Sequence, residues 1–173
     1  MKTIFILFVF ISSLCSHPHT FIEVHPTLKV KESSAFVVNF KWVLDDMSST
    51  ILVMELDQNG DGKIDKRENR YAYEEYFSIF ENYHYYTYIK VDGKDVKLPK
   101  VENFQTTIEN NKLCYSFEMK LNYDIEKTAF EFGDSDFYVA MVLKSEFVNA
   151  GTLPVKVTGV DNDFYYGYRL EFR

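Results

Sequence analysis

The chain begins its regular pattern by alternating. In "HTFIEVHPTLKVKES" polar and apolar side chains take turns, which is the period of a half-buried strand and predicts one over Thr20–Val30, closed by Glu32-Ser33. "AFVVNFKWVL" predicts a second strand, paired with the first as a hairpin. The period then lengthens. "DDMSSTILVMEL" opens on carboxylates and sets Met47, Ile51, Leu52 and Met54 at helical spacing. A second helix is expected over Lys66–Tyr83, with Tyr71, Ala72, Phe77 and Phe80 available for one face. After it strands return. "YTYIKVDGKDVKL" holds Asp92-Gly93 between alternating runs, and "ENFQTTIENNKLCYSFEMKL" turns at Asn110-Asn111; both are hairpin signals. "AFEFGDSDFYVAMVL", "LPVKVTGV" and "DFYYGYRLEFR" bring the count to about eight strands. The expected fold class is α+β. It is a mainly antiparallel β-sandwich in a single domain, 17–173, with an EF-hand-like helix–loop–helix inserted at about 46–83.

Composition agrees with strands: 16 Phe and 13 Tyr against one Trp suit pleated, half-buried surfaces. At 173 residues and 46% hydrophobic the chain can build one core. A net charge of −7 with no basic cluster excludes nucleic acid as a partner. The opening "MKTIFILFVFISSLCS" has a lysine, a short apolar run and then small residues, the layout of a secretory signal peptide over 1–16. Its apolar run falls short of the roughly 20 residues that span a bilayer. The alternative is a buried first strand. Cys15 fits a lipid-attachment site poorly, and cleavage is expected after Cys15 or Ser16. The mature protein is then periplasmic or secreted, without a transmembrane segment. It keeps one cysteine, Cys114, which the alternation around it assigns to the core.

Between the two helices lies "DQNGDGKIDKRE". A twelve-residue calcium loop takes oxygens from positions 1, 3, 5, 7, 9 and 12. Those are Asp57, Asn59, Asp61, the carbonyl of Lys63, Asp65 and Glu68. Gly62 stands where the loop must turn sharply, and Ile64 where an apolar side chain packs inward. The alternative is a polar turn between helices. No second loop follows: "DNDFYYGYRLEF" begins with alternating acids but ends on Phe172, without the bidentate carboxylate. A lone site where Ca2+ is abundant reports nothing. It stabilises instead, by about 2.7 kcal/mol at a hundred times its dissociation constant.

The second candidate is "SHPHTFIEVHP". On an extended chain His17, His19, Phe21, Glu23 and His25 share one face, while Thr20, Ile22 and Val24 form the core face. Three of the four histidines thus stand with a carboxylate. Neutral imidazole is the commonest transition-metal ligand, so His17, His19 and Glu23 form a candidate site for Ni2+, Co2+, Zn2+ or Cu2+. The alternative is solvated histidines at a frayed terminus.

His-Pro-His before a strand, "WVLDDMSS" at Trp42–Ser49, the calcium-like segment, "YTYIKVDGK" and the late "DSDFYVAMVL" follow one another in an order that resembles a bacterial family, domain of unknown function one thousand and seven. Its members are often labelled periplasmic components of ABC-type transport systems and associated with nickel, cobalt or zinc. The resemblance implies a metal-handling role. By position His17, His19 and Glu23 match the family's opening motif, Asp45 and Asp46 its tryptophan motif, and Asp134 its late aspartate; His25 has no assigned role. The expected function is therefore an exported calcium-binding accessory of a transition-metal transport system, partnered by a membrane metal permease or ABC transporter. The alternative is a calcium-stabilised interaction or adhesion module. No phosphate loop, nucleophile elbow or His-Glu-x-x-His motif appears, so no enzyme is expected; a copper oxygenase on an amino-terminal histidine is the one catalytic alternative.

Overall fold

The computed structural model describes residues 19–32 and 34–173. The expected signal peptide, Cys15, His17 and Pro18 lie outside the described residues.

β1 (Thr20–Glu32) and β2 (Ala35–Leu44) pair antiparallel, with Val24 opposite Trp42. The alternation in β1 is realised: Ile22 and Val24 are buried, whereas Phe21, Glu23 and His25 face outward. β2 runs straight into α1 (Asp46–Leu56), and α2 (Lys66–Ala72) follows after a nine-residue link. The helical path continues through a π-helical turn, Tyr73–Phe77, and a 3-10 stretch, Ser78–Tyr86, in place of the regular helix expected to Tyr83. The π turn changes the phase of the helix. It delivers Phe77 into the core against Phe104 (4.3 Å), Phe117 (5.2 Å) and Trp42 (5.9 Å). The stretch ends in three consecutive left-handed residues, His84, Tyr85 and Tyr86.

The strands form two five-stranded sheets. The first has the order β5 (Val101–Glu109), β6 (Lys112–Leu121), β2, β1, β8 (Val139–Val142). The second has the order β4 (Lys94–Val96), β3 (Thr87–Val91), β7 (Thr128–Gly133), β10 (Tyr166–Phe172), β9 (Val155–Asp161). Pairing among the described strands is antiparallel except between β1 and β8. The hairpins turn where expected, with positive φ at Asp92-Gly93 and at Asn110-Asn111. The sheets meet through aromatic side chains: Phe40 of β2 packs on Phe130 (5.6 Å) and Phe132 (5.8 Å) of β7. One apolar cluster spans both sheets and the inner sides of the helices.

One expectation needs correction, and the face that α1 buries has a physical reason. The stretch 129–143 is two strands in different sheets, not one, because the chain crosses over between Gly133 and Val139; ten strands result instead of about eight. And α1 does not bury Met47, Ile51 and Met54, which are 62%, 61% and 81% exposed. It buries Ser49 and Leu56 on the opposite side. The cause is polar. The Ser49 hydroxyl donates to the carbonyl of Leu44 (3.1 Å) and accepts from the amide of Leu113 (3.0 Å), stitching α1 between two strands.

Candidate metal centres

The link between α1 and α2 folds around its own side chains. Gly60 (φ +71°) and Gly62 (φ +76°) take left-handed turns that glycine adopts without steric cost. The carboxylate of Asp57 accepts from the amides of Gly62 (2.9 Å) and Asp61 (3.1 Å), closing the loop on its first residue. Asn59 accepts from the Asp61 amide (2.8 Å), and Asp61 from the Lys63 amide (2.9 Å). Asp65 caps α2 by accepting from the amides of Arg67 (2.7 Å) and Glu68 (2.9 Å). Glu68 completes a capping box by accepting from the Asp65 amide (2.9 Å), and its other oxygen accepts from the Asn59 amide (3.3 Å). Ile64 is half-buried and packs on the core.

Glu68 is the notable member of this set. Only 3% of it is exposed, yet among the described residues no lysine or arginine lies within 4 Å of any of the loop's four carboxylates. Among the described residues the other buried carboxylates are Asp134, held by three backbone amides alone, and Glu131, which is paired with cations. Glu131 receives the Tyr165 hydroxyl (2.5 Å) and Arg169 Nε (2.6 Å), with Lys90 at 3.9 Å. The loop gathers hard oxygen donors without a counter-charge. Its donor chemistry, four carboxylates, a carboxamide and a peptide carbonyl, fits a hard divalent cation. Among the described residues no three His, Cys, Asp or Glu side chains converge closely enough to share one ion; the loop's carboxylates turn to backbone amides.

On the outward face of β1 the grouping differs from that expected. His19 is exposed, and its ring stacks on Tyr138 (centroids 6.1 Å apart). Glu23 sits against His25 (Oε2 to Nε2, 3.3 Å) rather than His19, and the His25 ring lies on Phe147 at 4.2 Å. The described portion of the face thus offers a carboxylate–imidazole pair and a separate exposed imidazole.

The aspartates singled out in the sequence hold backbone. Asp45 caps α1 through the Ser48 amide (2.8 Å), and its other oxygen accepts from the Phe21 amide of β1 (2.8 Å). Burial pushes the Asp45 carboxyl up, but hydrogen bonds from Ser48 and Phe21 outweigh it and hold the group below its ordinary value. Asp134, buried at 4% exposure, accepts from the amides of Asp136, Tyr138 and Val139 at 2.9–3.0 Å and so shapes the crossing between β7 and β8. Asp46 is exposed and meets Lys112 at 3.5 Å. Cys114 is a buried free thiol, and burial pushes it up, away from the reactive thiolate. Sequence reasoning missed Ser49, Glu131 and Tyr138; of these only Tyr138 had a local signal, in the acid-rich turn "GDSDF" just before it.

The fold is that of a mostly β protein, two mainly antiparallel sheets with two helices inserted after the second strand. Residues 3–157 match the family described as protein of unknown function (DUF1007), and the chain belongs to that family. It is 27% identical over 155 residues to an uncharacterised protein of Haemophilus influenzae, covering 84% of this chain and 73% of the relative. It is 30% identical over 110 residues to an uncharacterised 15.5 kDa protein in the trpE 3′ region of Spirochaeta aurantia, covering 62% and 76%. No helix among the described residues is long and apolar enough to cross a membrane.

Proposed function

We propose that the chain is an exported calcium-binding protein whose loop, Asp57–Glu68, holds a structural Ca2+ ion, and that it serves as a periplasmic metal-binding accessory of a transition-metal transport system. Glu68 carries the calcium reading. A buried carboxylate is costly unless it is paired or well hydrogen-bonded; this one accepts two backbone amides, and among the described residues no lysine or arginine lies within 4 Å of it. Asp57, Asn59, Asp61, Asp65, Glu68 and the Lys63 carbonyl would hold the ion, which supplies the missing positive charge and ties the end of α1 to the start of α2. The accessory role draws on the outward face of β1, where His19 and the Glu23–His25 pair offer nitrogen and carboxylate donors. His17 belongs to the same proposal. A membrane metal permease or ABC transporter is the partner this role requires.

Metal analysis of the protein purified from its native host tests both parts. Calcium together with nickel, cobalt, zinc or copper supports the proposal. Calcium alone removes the transport role and leaves a calcium-stabilised interaction module. Absence of calcium removes the reading of the loop.

A further inference from the structure

α1 turns an apolar stripe toward solvent. Met47, Ile51 and Met54 stand at i, i+4 and i+7, one stripe down the helix, and no described residue covers them. The stripe does not end at the helix. Ile51 also lines an open cavity of about 260 Å³ between α1 and the π–3-10 path, with Leu52, Tyr76 and Phe80 as walls and Ile22 and Val139 below. An apolar ridge bordering an apolar groove is the form of a site that receives an amphipathic segment.

The charges around it decide what that segment is. From Trp42 to Leu56 the chain carries Asp45, Asp46 and Glu55 and no lysine or arginine. From Tyr71 to Ile89, the opposite wall, it carries Glu74, Glu75 and Glu81 and again no lysine or arginine. Glu74, Glu75 and Glu81 are exposed, as are Asp46 and Glu55. Burial first, then the nearby Glu55 and Tyr71, push the hydroxyl of Tyr76, a wall of the groove, up to about 12. Lys112 pairs with Asp46 at this rim, 3.5 Å away. An anionic membrane surface would be repelled by this border, and so would a second copy of a chain with net charge −7.

We propose that the α1 stripe and its groove dock a cationic amphipathic segment of a partner protein. Its apolar side chains lie on Met47, Ile51 and Met54, and its lysines or arginines meet the acidic rims. The two methionines adapt to different apolar shapes. The surface is already formed, so the proposal needs neither the calcium ion nor a transition metal.

The test uses the full chain and a short labelled peptide of leucine and lysine at helical spacing, beside a counterpart with glutamate for lysine. The lysine peptide should bind, more weakly as salt rises, and the glutamate peptide should not. A Met47→Ser/Ile51→Ser/Met54→Ser variant keeps every charge and alters only exposed positions. It should weaken binding about tenfold or more, since the partner then has no apolar stripe to bury. Asp46→Asn/Glu55→Gln should flatten the salt dependence. No binding, equal binding of the two peptides, or unchanged binding to the serine variant would overturn the proposal. So would self-association in sedimentation that the serine variant abolishes, which assigns the face to a second copy. Stripe-dependent adhesion to anionic phospholipid vesicles would do the same by assigning it to a membrane.

Discussion

Glu68→Gln separates the two jobs this side chain can do. As a capping residue it accepts from the Asp65 amide at 2.9 Å, and glutamine serves in a capping box as glutamate does. As a calcium ligand it supplies charge and two oxygens, and glutamine supplies neither the charge nor the bidentate grip. In the presence of a chelator, therefore, the variant should unfold within about 1 kcal/mol of the native protein, the usual scale of a cap. In calcium the two should part. A ligand at a hundred times its dissociation constant stabilises the folded state by about 2.7 kcal/mol. For a chain of this size that is about 5–10 °C in Tm, at 2–4 °C per kcal/mol. Thermal unfolding followed by circular dichroism across a calcium series, with and without chelator, reads this directly. The native Tm should climb with calcium, and that of the variant should stay nearly flat. An equal climb in the variant places the ion elsewhere. A native protein that does not respond removes calcium from the loop. A variant equally destabilised in chelator and in calcium reduces Glu68 to a cap.

Three further expectations follow from the geometry. Phe77→Ala empties a fully buried position among Trp42, Phe104 and Phe117 and should cost about 3–5 kcal/mol in chemical denaturation; a loss under about 1 kcal/mol would mean the core collapses freely around the gap. Because the Asp45 carboxyl is held below its ordinary value when folded, it contributes stability above the unfolded carboxylate range, near 3.9, that is lost as pH falls through the folded value; the stability gap between native protein and Asp45→Asn should shrink in acid, and a gap that widens refutes the assignment. Titration calorimetry with nickel, zinc and copper should show weaker binding by about tenfold in both His17→Ala/His19→Ala and Glu23→Gln/His25→Ala; unchanged affinity in either pair removes that pair from the site.

What could be read from the sequence was local. The period of β1 and the turns at Asp92-Gly93 and Asn110-Asn111 depend on neighbouring residues, and they appear where the pattern puts them. The order of oxygen-bearing residues from Asp57 to Glu68 is equally local. The orientation of α1 is not. Four apolar side chains at helical spacing name a face, but Ser49 reverses it by satisfying groups at Leu44 and Leu113, the latter 64 residues away. The change of sheet after Gly133 belongs to the same class: "GDSDF" signals a turn, but not that the strands on either side join different sheets. On β1, spacing placed the histidines and Glu23 on one face. Which pair meets depends on Phe147 and Tyr138, rings brought in from distant segments.

The short motifs scattered along the chain acquire a common purpose at the beginning of β1. Strand ends usually fray, but this one is tied from two directions. From α1, Asp45 accepts the Phe21 amide with its side chain and donates its own amide to the Phe21 carbonyl (3.0 Å). From the far end of the sequence, Asp134 takes the amides of Tyr138 and Val139, and the Tyr138 carbonyl so positioned accepts the amide of His19 at 2.8 Å. Parallel pairing of Thr20 with Val139 continues the grip. The aspartates after Trp42 and in "DSDFYVAMVL" therefore need no direct part in binding to matter. They fix the backbone at His19, so that the imidazole we propose as a metal donor is presented against Tyr138 in one place. A side chain held this way loses little further freedom when a ligand arrives, and that saving in ordering entropy is what a preorganised site offers over a loose terminus.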